Sequence, residues 1–404
     1  MGCWMRRPWS TAGADLPTRT VWWLPVLAFL VALGFAAAGF VDGSRSNPFG
    51  GWDAWTIWNL RAEFLAQNDA SWRNAFSSLL NRTHADYPLL TSGFIASCWN
   101  LMGSAGAVSA PIAVAAIFTF ATAGLMVSAL TILRGWSAGL LAGLILLVSP
   151  RFLLEAPNQY ADVPLGFYYA AAVALTLLAA NASQGAEKLF ILAGLAAGFA
   201  AWTKDEGLLF LVLFGLGIAG LSVVTRAWPR KTLLGLAVGA ALPLFILLFF
   251  KLFLAPSVGT LASHGLSATT GKLFQLSRYV QVAQAFWREG FGFGAGTIHP
   301  FIPLAILVVS LGMHPVRRRQ TGVIALISVL LAVLAGYFVR FVITPDDLAW
   351  HLSTALGRLY VQLWPSFILL AFWVIRTPEE TAVAGGQVQK SQAVTGKKRQ
   401  KVHA

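Results

Sequence analysis

Gly50-Gly51-Trp52-Asp53-Ala54-Trp55-Thr56-Ile57-Trp58-Asn59-Leu60 follows the first apolar span of the chain, residues 21–41. This segment sets one carboxylate, Asp53, among three tryptophans at the point where the chain leaves the membrane. Tryptophan prefers the headgroup layer, because its ring is apolar and its indole N–H needs a polar partner. An acid held in that layer is partly desolvated and lies close to the polar end of a lipid. Asp53 is therefore available as a base.

The composition indicates a polytopic membrane protein. The 404 residues are 57% hydrophobic and only 11% charged, against about 25% charged in soluble domains. The net charge of +13 does not indicate a nucleic-acid partner, because the basic residues lie in short loops and in the tail, where the positive-inside rule expects them. We predict an all-α fold of about ten transmembrane helices, at residues 21–41, 107–132, 136–149, 163–180, 189–203, 207–225, 232–254, 299–313, 321–342 and 359–375.

One doubtful segment, residues 88–103, decides the topology. It is short for a span, and Ser92, Ser97 and Asn100 interrupt it. If it does not cross, the basic loops and the basic tail fall on the side of the N-terminus, as the charge rule expects. We therefore predict a re-entrant or interfacial segment, ten crossings and two cytoplasmic termini. The outer face then receives residues 42–106, 150–162, 203–207, 255–298 and 343–358.

The predicted organisation has three parts: a cytoplasmic N-terminus (residues 1–20), a transmembrane catalytic domain (21–376) and a basic, disordered cytoplasmic tail (377–404). The first outer loop, residues 42–106, carries two patterns of apolar residues at helical spacing, which predict helices lying in the membrane surface. One pattern is Trp55, Trp58, Ala62 and Leu65, and the other is Trp72, Phe76, Leu79 and Leu80. A similar pattern runs over residues 273–287.

The first outer loop also carries the first candidate site residues. Asp53 is either a general base that takes a proton from an acceptor hydroxyl or the N-cap of the helix that follows it. In His84-Ala85-Asp86-Tyr87-Pro88, His84 and Asp86 could orient a sugar hydroxyl or bind a metal, and Tyr87 begins the re-entrant segment. The alternative is a structural turn capped by Asp86. No second carboxylate flanks Asp53, so a divalent metal is compatible with the chemistry but not indicated. No cofactor is expected.

The other outer loops supply further candidates. Polar residues crowd residues 155–162, where Glu155 and Asp162 favour a lined cavity, although Asp162 could simply cap a helix. Lys204-Asp205-Glu206-Gly207 joins two spans with almost no loop, and Lys204 either binds a phosphate or pairs with Glu206. Arg358 lies at the outer end of the last span, where its planar guanidinium suits a phosphate.

These features together resemble the membrane-embedded glycosyltransferases of the GT-C superfamily, in particular the family 39 and phospholipid-carrier-dependent branch of protein O-mannosyltransferases and aminoarabinose transferases. The resemblance covers about residues 21–375. It rests on Asp53 after the first span, on the similarity of His84–Pro88 to the family's His-Pro-Pro-Leu element, and on Ser149-Pro150 followed by Asp162. It continues with Lys204 after the fifth span and with Arg358-Leu359-Tyr360, followed by Pro365.

The resemblance implies that Asp53 is the catalytic base and that Lys204 and Arg358 hold the lipid phosphate. His84, Asp86, Tyr87, Glu155, Asp162, Glu206 and Tyr360 complete the expected substrate-binding set. The sequence departs from the family pattern at two places that bear on the acceptor and on any metal. The first proline of the His-Pro-Pro element is missing around Ala85-Asp86. Ala54 stands where an acid usually follows the catalytic aspartate.

The expected function is an inverting hexosyl- or pentosyltransferase of the bacterial inner membrane with its site on the periplasmic side. The donor would be a polyprenyl-phosphate sugar, and the acceptor a hydroxyl of a glycan, lipid or protein, with membrane lipids around both. A transporter or lipid flippase for envelope precursors is the alternative. It would place charges at mid-membrane on broken helices within two repeats, whereas here the ionisable residues cluster at one face. A non-catalytic partner in envelope assembly is the third reading.

Overall fold

The computed structural model describes residues 23–67, 69–182, 184–225, 228, 230–256, 271–293, 299, 301–314 and 321–381. Within these ranges the chain forms helices and turns, and the β-structure there is one isolated bridge between Met313 and Ile375. The N-terminal part at residues 1–20 lies outside the described residues. The tail boundary at residue 377 stays a prediction, since only residues 377–381 of the tail are described.

Fourteen α-helices follow one another in the described residues. They are α1 (Trp23–Ser46), α2 (Asn59–Leu65), α3 (Leu90–Met102), α4 (Ser109–Arg134), α5 (Trp136–Leu147), α6 (Pro150–Glu155), α7 (Asp162–Asn181), α8 (Ala186–Thr203), α9 (Asp205–Thr225), α10 (Arg230–Phe253), α11 (Leu276–Gly292), α12 (Phe301–Leu311), α13 (Thr321–Val342) and α14 (Leu348–Val374).

The all-α, multi-pass membrane architecture is confirmed, and the count of ten crossings is approximate. Eight of the described helices are long and apolar enough to cross a bilayer. Of the two other predicted crossings, α5 is followed after a 64° bend by residues 150–158, and α12 has only 11 residues. The segment predicted as re-entrant contains α3, whose 13 residues reach about 20 Å, less than the roughly 30 Å hydrocarbon core.

The first outer loop is helical, but only part of it is α-helix. A π-helical turn, Ala54–Trp58, runs into α2, and its Trp58 is buried rather than spread on the membrane surface. The second predicted surface helix is instead two 3-10 segments, Ala70–Phe76 and Ser78–Thr83. Ser77, with extended backbone angles, separates them and accepts a hydrogen bond from the backbone N–H of Leu79.

The last helix begins earlier than the sequence pattern predicts. Residue 359 was the expected start, whereas α14 begins at Leu348, because Asp347 caps it by accepting a 2.8 Å hydrogen bond from the backbone N–H of Trp350. Arg358 therefore lies within a helix rather than at its start. This gives the arginine a rigid backbone from which to reach neighbouring helices.

Close helix packing positions the ends of the spans. In α8 and α10, a Cβ on Gly194 would lie 2.0 Å from the carbonyl oxygen of Leu236, and a Cβ on Gly239 would lie 1.9 Å from that of Ile191. Only glycine permits this backbone approach, which is the usual device of membrane helix pairs. The most buried spans are α7 and α14, and Asp162 and Arg358 belong to them.

The charged residues fall at two opposite ends of the bundle. At one end lie Asp53, Asp162 and Lys204, which follow α1, begin α7 and separate α8 from α9. At the other end, Arg134 of α4 donates a 3.0 Å hydrogen bond to the carbonyl of Ile375, just after α14. Which end faces the cytoplasm stays a prediction from the arginine distribution.

Candidate functional site

Two glycines bring Asp53 to the site. Gly50 has a φ of +73°, which favours glycine, and a Cβ on Gly51 would lie 2.2 Å from the hydroxyl of Tyr160. The chain turns there, and the N–H of Gly51 donates a 3.0 Å hydrogen bond to the carbonyl of Asn158. The π-helical turn begins at the next residue, Ala54, and the Asp53 carboxylate makes no capping hydrogen bond. It pairs with the guanidinium of Arg358 instead, so the N-cap alternative does not describe it.

Five of the predicted site residues form one ion-pair network. Arg358 Nη1 contacts Asp53 Oδ2 and lies 3.9 Å from Asp162 Oδ2. Lys204 Nζ lies 2.9 Å from Asp162 Oδ1 and 3.1 Å from Glu206 Oε1. Asp162 is therefore the acid common to both cations. We refer to Asp53, Asp162, Lys204, Glu206 and Arg358 as the charge network.

Burial differs within the charge network. The side chains of Asp162 and Lys204 are 1% and 8% exposed, while those of Asp53 and Glu206 are 26% and 23% exposed. Burial alone would lower the pKa of Lys204, but Asp162 and then Glu206 outweigh it and raise that pKa. Lys204 therefore stays protonated at neutral pH. Three carboxylates face two cations, and Asp53 and Glu206 are the two carboxylates that solvent reaches.

Asp162 is held by neutral side chains as well. Gln362 Nε2 donates a 2.5 Å hydrogen bond to Asp162 Oδ1, and Tyr337 donates its hydroxyl to Gln362 Oε1, also at 2.5 Å. Tyr169 lies 3.2 Å from the Tyr337 hydroxyl and donates to the backbone carbonyl of Glu206. All three neutral side chains are buried. Asp162 thus has the surroundings of a structural anion, although it also begins α7.

The His84–Pro88 segment is a turn held by a residue that the sequence analysis missed, the buried Arg61. The Arg61 guanidinium donates to the carbonyls of His84 and Tyr87, the latter at 2.8 Å. His84 takes a left-handed conformation with φ +49° and stacks on Tyr87, with 4.5 Å between ring centroids. Burial raises the pKa of Tyr87, so its hydroxyl stays protonated.

Asp86 contributes its backbone rather than its carboxylate to the packing. Its carbonyl accepts a 2.7 Å hydrogen bond from Lys251 Nζ, and Lys251 also lies 2.8 Å from Asp205 Oδ1. The alternative interpretation is a turn capped by the Asp86 side chain. Among the described residues, that side chain makes no such hydrogen bond. This second ion pair borders the charge network, since Asp205 lies between Lys204 and Glu206 in the chain.

Glu155 lies beside the charge network and is not joined to it by a hydrogen bond. Its carboxylate accepts a 2.9 Å hydrogen bond from Asn158 and lies 3.2 Å from Arg151 Nε. Arg151 passes over Gly357, where a Cβ would lie 2.3 Å from Nη2. Arg151 is thus a third cation next to Arg358, which the sequence analysis did not select.

Tyr360 lies outside the charge network. Its hydroxyl donates a 2.9 Å hydrogen bond to the carbonyl of Phe286 and so anchors α11 to α14. Among the described residues, no three histidine, cysteine, aspartate or glutamate side chains converge to hold a metal ion.

The arrangement offers a partly exposed carboxylate, Asp53, beside the paired cations Arg358 and Lys204 at one end of a helical bundle. A carboxylate so placed can accept a proton, and arginine and lysine donors can stabilise a phosphate. The guanidinium of Arg358 lies over the ring of Tyr160, with 4.9 Å between Arg358 Cζ and the ring centroid.

Sequence comparison alone does not classify the chain: no family model matches it, and neither does any curated protein. Among solved structures, the chain is similar to ArnT from Cupriavidus metallidurans bound to undecaprenyl phosphate, with a TM-score of 0.55 and 19% identity. The match covers 85% of this chain and 59% of that one. The same protein in the apo state matches with a TM-score of 0.47, 18% identity and coverage of 85% and 58%. ArnT is a GT-C aminoarabinose transferase, and the all-helical, GT-C-like membrane fold expected from the sequence is thereby confirmed.

Proposed function

We propose that the protein is an inverting glycosyltransferase that moves a monosaccharide from a polyprenyl-phosphate donor to an acceptor hydroxyl at the outer face of the inner membrane. The observation that carries the proposal is the pairing of Asp53 with Arg358 at one end of a GT-C-like bundle. A transporter would place its charged residues near mid-membrane on broken helices, whereas the charge network lies at one end of the bundle. The undecaprenyl phosphate bound to ArnT supports a polyprenyl phosphate as the carrier of the sugar.

In the proposed reaction Asp53 takes the proton of the acceptor hydroxyl, and the acceptor oxygen attacks the anomeric carbon of the donor. The bond between that carbon and the phosphate oxygen breaks, and the phosphate leaves with the electron pair. Attack opposite the leaving group inverts the anomeric centre. Arg358 and Lys204 stabilise the departing phosphate, so the leaving group needs no acid.

The ion pair between Asp53 and Arg358 gives this mechanism an order of events. While Arg358 holds Asp53, the carboxylate is occupied by the guanidinium and is not free to contact an acceptor hydroxyl. A donor phosphate competes with Asp53 for the same guanidinium. Donor binding would therefore release the base, while Arg151 offers further donors beside Arg358.

The test is the substitution Asp53→Asn. Transfer from radiolabelled polyprenyl-phosphate sugars is measured with the purified protein reconstituted in membranes. Removing a catalytic base costs about 10²- to 10⁴-fold in rate. Asp42→Asn is the matched control, because Asp42 is an exposed acid at the end of α1. Turnover close to wild type in Asp53→Asn would exclude Asp53 as the base.

A further inference from the structure

A cavity of about 130 Å³ opens beside the π-helical turn that follows Asp53. Its walls come from the residues before that turn, from the turn and α2, and from the end of α3, the start of α4 and the connection between them. The lining residues that define its chemistry are Phe49, Trp55, Asn59, Glu63, Trp99 and Pro111. The volume suits a single ring-sized group rather than a lipid chain.

The cavity combines flat apolar walls with a few polar groups. Trp99 is fixed because its indole N–H donates a 2.7 Å hydrogen bond to the carbonyl of Ala107, whereas Trp55 is half exposed. Glu63 is exposed and supplies a carboxylate. Aromatic faces with a small number of hydrogen-bonding groups are typical of pockets that select small polar molecules.

Asn59 adds an unsatisfied polar atom to this wall. Its Nδ2 donates a 2.9 Å hydrogen bond to Gln159 Oε1, but its Oδ1 is buried and has no hydrogen-bond partner in the described part of the chain. A buried carbonyl oxygen without a donor is unfavourable. A hydroxyl that entered the cavity could supply that donor after a small rotation of the amide.

The cavity is connected to the charge network through adjacent residues. Asn59 binds Gln159, and the next residue, Tyr160, packs under Arg358, which holds Asp53. Asn59 follows Asp53 by six positions along the helix, which corresponds to a rise of about 9 Å. Two neighbouring sugar rings of a glycan could span that separation.

We propose that the cavity binds one ring of a glycan acceptor, next to the ring whose hydroxyl Asp53 deprotonates. The inference rests on the proposed function, since it names the acceptor of that same site. The ring stacks on Trp55 and Trp99, and its hydroxyls donate to Asn59 Oδ1 and to the Glu63 carboxylate. The acceptor is accordingly a neutral oligosaccharide of at least two rings.

The test measures binding of methyl glycosides of glucose, galactose and mannose, and of lactose and maltose, to the full-length protein in lipid nanodiscs by saturation-transfer NMR. At least one disaccharide should bind more tightly than its monosaccharides. Asn59→Leu and Trp55→Ala should each weaken that binding about tenfold or more. Trp136→Ala is the matched control, because Trp136 is an exposed tryptophan at the other end of the bundle.

Three results would overturn the proposal: no glycoside binds, binding is unchanged in both Asn59→Leu and Trp55→Ala, or tetramethylammonium binds the cavity in preference to the sugars. Binding to Asp53→Asn separates this proposal from the proposed function. That variant should lose transfer and still bind the disaccharide. Normal transfer by Asp53→Asn, together with cavity-dependent sugar binding, would reject the catalytic role of Asp53 and leave the cavity assignment intact.

Discussion

The two aspartates of the charge network have different surroundings and, we infer, different tasks. Asp53 is partly exposed and pairs with one arginine. Asp162 is buried, contacts Lys204, lies near Arg358 and accepts a hydrogen bond from Gln362. If a group so fully engaged turned toward a substrate, the buried Lys204 would lose its nearest carboxylate and keep only the more exposed Glu206. Asp162 is better placed to hold Lys204 and Arg358 than to bind sugar.

We expect Asp162→Asn to destabilise the protein far more than Glu206→Gln. The asparagine keeps an acceptor for Gln362 but removes the charge that both cations share, and breaking a buried pair costs about 3–5 kcal/mol. Glu206 contacts only Lys204 in the charge network and is more exposed. Thermal unfolding of the two variants in the same detergent measures the difference. Equal melting temperatures would contradict the structural role of Asp162.

The sequence identified the five ionisable members of the charge network and missed the neutral side chains that hold Asp162. Asp53, Lys204 and Arg358 are conspicuous because a charge at the edge of an apolar span is costly without a partner. Gln362, Tyr337 and Tyr169 lie inside spans, where a neutral polar side chain is tolerated and gives no signal of what it contacts. Arg61 was missed because its partners are the backbone carbonyls of a turn, which sequence does not bring together.

At the scale of elements, α11 is fixed to the bundle by hydrogen bonds that it donates and accepts. Arg278 of α11 donates a 2.7 Å hydrogen bond to the carbonyl of Val342, and Tyr360 of α14 donates to the carbonyl of Phe286. The helical spacing of apolar residues predicted this element. Its docking could not be predicted, because the acceptors are main-chain carbonyls.

Tyr360→Phe should loosen α11 without changing the charge network. The variant loses one hydrogen bond, worth about 0.5–1.5 kcal/mol, and keeps the ring that packs on Phe286. Amide hydrogen exchange over residues 276–292 should accelerate several-fold. In the matched control Tyr279→Phe, the lost bond joins Tyr279 to the nearby carbonyl of Leu273, and exchange in the second half of α11 should stay unchanged. Identical exchange in both variants would assign Tyr360 another role.

At the scale of the whole molecule, Glu380 connects helix ends on the side of the bundle opposite the charge network. Its carboxylate lies 3.0 Å from Arg134 Nη2 of α4 and 2.9 Å from His314 Nε2, which follows α12. The backbone N–H of Thr377 also donates to it, at 2.9 Å. The residues after α14 are thereby tied to two other helices. The predicted disordered tail thus begins, at residues 377–381, with contacts to the bundle.

These contacts make the stability of the bundle dependent on pH. Partial burial alone would raise the pKa of Glu380, but the hydrogen bonds from Thr377 and His314 and the charge of Arg134 outweigh it and lower that pKa. A carboxyl whose folded pKa lies below its unfolded value, near 4.3, stabilises the fold above that value. The stabilisation is lost as pH falls through the folded pKa, because the proton then binds both states.

We therefore expect the melting temperature of the wild-type protein to fall between about pH 5 and pH 3 by more than that of Glu380→Gln. The glutamine cannot ionise, so the variant should already lack the stabilisation at pH 7 and should show a flatter profile. Glu187→Gln is the control, because Glu187 is exposed at the start of α8, at the same end of the bundle. Parallel profiles for the wild type and Glu380→Gln would show that the ion pairs around Glu380 do not hold the end of α14 to α4.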